Sequence, residues 1–216
     1  MAKCRGKQEN AKALVTKHDI TFFQETKLLD RENRFFKTFL PPGFVPHTSS
    51  HTKFSAGVAI ITSPLLNELY HQKVIPLPPS LKGNALCVHF EAKNGTHSFR
   101  ALNLYLDSHK SETRISQLGT LIDSLPSHSH LIVGGDFNFV EDKFEDSSSH
   151  SSHYDNSVKF NNTWSSFKDH FNLKEVAQQT HTYISNSGDP NSAGTSRLDR
   201  FYLSYDEADW ATVKPY

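Results

Sequence analysis

The run Leu131-Ile132-Val133-Gly134-Gly135-Asp136-Phe137-Asn138 constrains this chain more than any other segment. Three consecutive apolar residues read as a fully buried strand, and two glycines stop it abruptly. A carboxylate and an amide follow at the strand's C-terminal end, where ligands collect in layered α/β sheets. Alternation along extended backbone turns Asp136 and Asn138 to the same side. A carboxylate can orient or deprotonate a water, and an amide can donate to a phosphate oxygen as charge builds on it. Asp and Asn are also ordinary turn residues, so a Gly-Asp-x-Asn turn closing a strand is the alternative.

The 216-residue length suits one domain with a sizeable core, and sixteen Phe supply much of its apolar material. Basic and acidic residues balance at 23 each, which removes the simplest argument for nucleic acid, an overall basic footprint. An acidic cleft beside a basic rim is still compatible with it. Cys4 and Cys87 are too far apart to suggest a disulfide framework or a zinc site. No apolar run approaches the roughly 18 residues of a membrane span, and the start does not resemble a signal peptide. An intracellular protein, with a nucleus among the compatible locations, is the expectation.

The pattern predicts helices over 8–17, 31–38, 111–125 and 158–171. Strands are expected over Ile20 to Gln24, Gly57 to Ile61, Ala85 to Phe90, Phe99 to Tyr105, 130–135 and 198–204. Residues 141–157, acidic and rich in Ser and His, read as a long solvated loop, and 186–195 as a polar turn. Helices falling singly between strand groups predict two sheets packed face to face, with helices outside. A single domain spanning 1–216 is expected.

Further polar residues stand where predicted strands end or falter. Glu25 emerges from Phe22-Phe23-Gln24, and a carboxylate there is costly unless exposed, paired or bound to a cation; Mg²⁺ suits one carboxylate plus phosphate oxygens. The alternative is a carboxylate facing solvent at a strand mouth. Tyr105 could donate to a phosphate, or be a tyrosine half-buried at a sheet edge. Asp199 interrupts Arg197-Leu198-Asp199-Arg200-Phe201 and would suit orienting a histidine, or pairing with Arg197 or Arg200. Thr182, in His181-Thr182-Tyr183, is by default a strand residue.

Taken in order, Gln24-Glu25-Thr26-Lys27, Gly57-Val58-Ala59-Ile60, Asn103-Leu104-Tyr105, Gly135-Asp136-Phe137-Asn138 and Arg197-Leu198-Asp199-Arg200-Phe201 resemble the endonuclease/exonuclease/phosphatase superfamily. The similarity is greatest to the apurinic-endonuclease-like nucleases of non-LTR (LINE-type) retrotransposons and covers about 20–210. It implies an α/β fold of the deoxyribonuclease-I type, a four-layer α/β/β/α sandwich, with Mg²⁺ or Mn²⁺ dependence and phosphodiester hydrolysis by an activated water. DNA is the implied partner and substrate, with no membrane and no obligate protein partner. By the same resemblance Glu25 binds the metal, Tyr105 contacts the scissile phosphate, Asp136 orients or activates the water, and Asn138 stabilises the transition state. Asp199 would hold a catalytic histidine, and Thr182 would help bind substrate phosphate.

The family also opens with a strand carrying a catalytic Asn and closes with a Ser-Asp-His motif, and neither occurs here, so the terminal strands are expected to be missing. His109 and His181 are the substitutes nearest the motifs, and loop or strand-edge roles are the expectation for both. Groups of such a site act as a unit, so any residual activity is expected to be very low. The readings carried forward are a Mg²⁺-dependent DNA endonuclease domain, another phosphoesterase or phosphatase of the superfamily, or a catalytically dead fragment with at most weak DNA or metal binding.

Overall fold

The computed structural model describes residues 2–28, 34–51, 56–127, 130–142, 144–147, 157–178, 180–184 and 194–204. Contacts divide the chain into two compact units, Met1–Tyr105 and Leu106–Tyr216.

The first unit contains helices α1 (Ala2–Val15), α2 (Arg34–Phe39) and α3 (Pro64–Leu69). Its strands are β1 (Ile20–Phe23), β2 (Val45–Ser49), β3 (Val58–Thr62), β4 (Tyr70–Ile75), β5 (Ala85–Ala92) and β6 (Ser98–Tyr105). β3 pairs antiparallel with both β1 and β2, and β5 with both β4 and β6. The sequence Val58-Ala59-Ile60-Ile61 is apolar without alternation because β3 is buried on both faces. One face sends Val58 and Ile60 onto Leu86, Val88, Phe90 and Ala101, the core between two sheets. The other face sends Ala59 and Ile61 onto Val15 of α1 and Phe36 of α2. Helix, sheet, sheet is therefore the layer order in this unit. α1 starts and ends earlier than the predicted 8–17, and α2 is shorter than 31–38. β2 and β4 are not anticipated from the sequence, because Val45-Pro46-His47-Thr48-Ser49 and Tyr70-His71-Gln72-Lys73-Val74-Ile75 are polar for strands. Both lie at sheet edges, where one-sided burial tolerates such residues.

The second unit contains α4 (Ser111–Ser124), β7 (Leu131–Asp136), α5 (Val158–His170), β8 (Leu173–Glu175), β9 (Tyr183–Ile184), β10 (Thr195–Ser196) and β11 (Asp199–Ser204). β11 is central, antiparallel to β7 on one side and β8 on the other. α5 starts at Ser157, whose hydroxyl accepts the Phe160 N–H, and presents Phe160, Trp164 and Phe167 as a buried stripe. Trp164 meets Tyr202 of β11 at 5.4 Å and Phe137 at 5.6 Å between ring centroids. Leu118 and Leu121 of α4 are buried alongside. An aromatic core this dense fixes the strand face on which Arg200 and Tyr202 stand, and by alternation the opposite face takes Asp199 and Phe201.

Candidate active site

In the first unit the site is built on Glu25. β1 ends at Phe23, and Glu25 and Lys27 then adopt left-handed backbone, at φ +51° and +52°. Side-chain-bearing residues are uncommon there, so the surroundings must hold the conformation. Thr26 N–H donates to the Gly57 carbonyl and Lys27 N–H to the Ala56 carbonyl, while Gly57 N–H donates to the Gly83 carbonyl. Gly57 must be glycine: its φ is +100°, and a Cβ would sit 2.4 Å from Thr26 Oγ1. On the other side of the segment, Asn103 is completely buried and donates through Nδ2 to the Phe23 and Ala59 carbonyls, while Gln24 donates to its Oδ1. The two sheets of this unit are thus cross-linked one residue before Glu25.

This scaffold brings Glu25 and Tyr105 together. Tyr105 Oη donates to Glu25 Oε1 at 2.5 Å, and Lys27 Nζ lies 3.6 Å from Oε2. The Glu25 side chain is half exposed. The carboxylate is therefore oriented by a phenol and accessible to an incoming cation or phosphate. Tyr105 is itself held at its backbone by Asn84, whose carbonyl accepts its N–H and whose Nδ2 donates to its carbonyl.

In the second unit Asp136, Asn138, Thr182 and Asp199 assemble at one end of the sheet. Asp199 is the register partner of Asp136, so their side chains share a face as a cross-strand pair. The alternation expected to align Asp136 with Asn138 fails, because the strand ends at Asp136 and Asn138 turns left-handed at φ +54°. A different device unites them: Asp136 Oδ1 accepts the Asn138 N–H at 2.9 Å, an Asx-type turn that Asn tolerates sterically. The turn reading of the motif thus describes a real feature. Asn138 is nearly buried, and its Nδ2 donates to the Leu106 carbonyl at 2.8 Å. Phe137 N–H donates to the Leu198 carbonyl, which ties the turn to the entry of β11.

Thr182 lies just before β9, not within a strand as the default reading has it. Its Oγ1 accepts the N–H groups of both Leu198 and Asp199, at 3.1 and 3.0 Å, and its own N–H donates to the Ser196 carbonyl. Burial pushes the Asp199 carboxyl above the ordinary range, opposed by hydrogen bonds from Thr182 and its own backbone. The expected alternative for Asp199, a salt bridge to Arg197 or Arg200, is not what those arginines form. They pair with Asp146 and Glu175, and Arg200 stands on the opposite face of β11 from Asp199. His109 is exposed, with its N–H on Asp107 Oδ1. His181 binds Thr195 Oγ1 through Nδ1 at 2.6 Å and the Glu145 carbonyl through Nε2.

The described part of 141–157 overturns its reading as a solvated insertion. Asp146 is 1% exposed, and Oδ1 takes Arg197 Nε and Nη2 while Oδ2 takes Arg200 Nη2 at 2.8 Å. Oδ2 also accepts the N–H groups of Glu141 and Asp142. Burial raises this carboxyl, but the Asp142 N–H, the charge of Arg200 and the hydrogen bonds and charge of Arg197 together hold it below the usual range. Glu141 pairs with Lys168 and accepts from Tyr202 Oη. Sequence reasoning missed these residues because an aspartate in a serine-rich acidic stretch looks solvated; its partners lie some fifty residues on. Residues 148–156, including His150 and His153, and most of the polar turn over 186–195 lie outside the described residues. Among the described residues no group of three or more His, Cys, Asp or Glu side chains converges as a metal cage, and no helix is long and apolar enough to cross a membrane.

The profile of the Endonuclease/Exonuclease/phosphatase family matches residues 2–213, and the chain belongs to that family. A comparison with curated protein sequences finds no match. Among solved structures the chain is similar to the AP endonuclease LMAP from Leishmania major, with a TM-score of 0.71 and 17% identity over 94% of this chain and 76% of that one. It is also similar to the endonuclease domain of TRAS1, a telomere-specific non-LTR retrotransposon, at TM-score 0.62 and 17% identity over 94% and 80%. A third similar structure is the 3′ phosphatase NExo from Neisseria bound to product DNA hairpin, at 0.67 and 16% over 93% and 82%. The fold is the α/β, deoxyribonuclease-I-like fold of this family, as its motifs imply. The superfamily is generally dependent on divalent metal.

Proposed function

We propose that this chain is a divalent-metal-dependent phosphodiester hydrolase acting on DNA, a nicking module of the kind carried by non-LTR retroelements. The observation that carries the reading is the Asp136 carboxylate, folded onto the Asn138 N–H and facing Asp199 across the strand pair. Such a carboxylate can orient a water for attack. An amide has two N–H donors; one on Asn138 goes to the Leu106 carbonyl, and the other serves a phosphate oxygen as negative charge builds.

Glu25 and Tyr105 serve cation and phosphate binding in this reading. The half-exposed Glu25 carboxylate, an oxygen donor outside any three-residue protein cage, fits Mg²⁺ or Mn²⁺, which are held by one or two carboxylates plus substrate oxygens. A bound divalent cation supplies charge neutralisation at the phosphate. Tyr105 orients Glu25 and offers its phenol to the phosphate once the carboxylate is engaged elsewhere. Asp199 is held at its backbone by Thr182, whose Oγ1 accepts its N–H.

DNA as substrate is supported by the two endonucleases and the DNA-bound phosphatase among the similar structures. The test is supercoiled plasmid incubated with stoichiometric protein in Mg²⁺ or Mn²⁺, against EDTA, with an inositol phosphate and sphingomyelin as competing substrates. Slow conversion to the nicked circle, abolished by EDTA, is expected; turnover of either small phosphoester without plasmid nicking would move the chain to another branch of the family.

A further inference from the structure

The reading above leaves unused the most heavily bonded charged cluster of the second unit, Asp146 with Arg197 and Arg200. We propose that Asp146 is a positioning residue: it clasps the segment after the Asp136 turn to the segment that delivers Asp199, and so sets how the two carboxylates face each other. The inference rests on the proposed function for its catalytic consequence, and on geometry alone for the positioning.

Three features separate this cluster from an ordinary surface ion pair. First, it is buried on both sides, with Arg200 at 0% and Asp146 at 1% exposure. Removing one partner from such a pair leaves an uncompensated buried charge. Second, every oxygen of Asp146 is committed. Its carbonyl accepts the Arg197 N–H at 2.8 Å, Oδ1 takes the Arg197 guanidinium, and Oδ2 takes Arg200 and two N–H groups of its own turn. The Ser147–Ser196 bridge adjoins it.

Third, the bonds terminate on both sides of the catalytic pair. Arg200 Nη2 also donates to the Phe139 carbonyl, directly after Asn138, and Phe137 N–H donates to the Leu198 carbonyl, directly before Asp199. Arg197 Nη1 reaches the Gln178 carbonyl, which ties in the segment leading to Thr182. Thus Phe139, directly after Asn138, is bonded to Arg200, directly after Asp199, and Arg200 is held by the Asp146 carboxylate. Stacking of the Arg200 guanidinium 5.1 Å above the Phe139 ring fixes the arginine on the core face, opposite the catalytic one. The device supports the site from behind without touching substrate.

The experiment compares the full chain with Asp146→Asn, which keeps the shape and removes the charge, and with Arg197→Gln, which removes the less buried guanidinium. Amide exchange and carboxyl NMR titration are read alongside plasmid nicking and DNA affinity. Expected in folded Asp146→Asn are at least tenfold faster exchange at the Phe137, Arg197 and Asp199 amides, with the β4–β6 amides unchanged. The Asp199 titration should move back toward the ordinary carboxylate range, and nicking should fall at least tenfold with DNA affinity unaltered. A purely structural role would lower thermal stability without moving the Asp199 titration. Unchanged Asp199 titration and Phe137 exchange in a folded variant would overturn the proposal. Should Asp146→Asn not fold, the same readouts on Arg197→Gln decide it. Absent nicking in the unaltered chain would overturn the proposed function while the exchange and titration arms still judge the clasp.

Discussion

Glu25 shows how much a single residue's chemistry depends on neighbours that carry none. Its carboxylate is aimed by Tyr105, and its left-handed backbone is tolerated because Gly57 lets the neighbouring segment approach Thr26 closely. Two predictions belong at this scale. Tyr105→Phe removes one hydrogen bond to a charged acceptor and should lower metal-dependent nicking about tenfold, or ~1.4 kcal/mol, with little change in stability. Nicking rate and urea midpoint, measured together, check it. Gly57→Ala should destabilise by about 1–3 kcal/mol through its positive φ and the contact with Thr26 Oγ1, read in the urea midpoint. Glu25, Tyr105, Asp136 and Asn138 were legible in the sequence because polar groups at the mouths of apolar strands stand out. The Asp136–Asn138 relation was legible only in part: extended-chain alternation was the wrong geometry, and an Asx turn does the same work. Asp146 was illegible, since nothing local distinguishes a clasped aspartate from a solvated one.

At the scale of elements, the strand triplet β1, β3 and β6 is pinned by one buried amide. Asn103→Leu leaves two carbonyls and the Gln24 amide without their partner and should cost about 2–4 kcal/mol of stability, read as a shift in the urea midpoint. The clasp between the 141–147 segment and β11 makes stability pH-dependent. Asp146 titrates below its unfolded value, so its contribution is fully present above about pH 4 and is lost as pH falls through the lowered folded value. Asp199 and Glu175 are raised, by burial foremost, so they work in the opposite sense: their contribution is present at low pH and is lost as pH rises through the raised values. Asp146→Asn should therefore flatten the acid limb of a stability–pH curve followed through tryptophan fluorescence, while Asp199→Asn should lessen the fall in stability as pH rises above about 4. The buried strands β3, β5 and β7 were legible as apolar runs, whereas β2 and β4 were not. Edge strands bury one side only, so their polar residues hide the period that sequence reading depends on.

For the whole chain, family membership follows from a profile that covers nearly all of it, and the fold agrees with solved relatives at less than a fifth of identical residues. Identity that low is compatible with a shared fold because packing volume and pattern, not particular residues, determine architecture. Function must come from the site, and Glu25 of the first unit and Asp136 of the second are each proposed to be needed for metal-dependent hydrolysis. The most direct measurement is a plasmid-relaxation series with the unaltered chain, Glu25→Gln, Asp136→Ala and the double variant, each with Mn²⁺ and with EDTA. Metal-dependent nicking that either single change lowers at least a hundredfold is the predicted result. Nicking that survives Asp136→Ala, or metal-dependent nicking that is absent even from the unaltered chain at stoichiometric concentration, would contradict it.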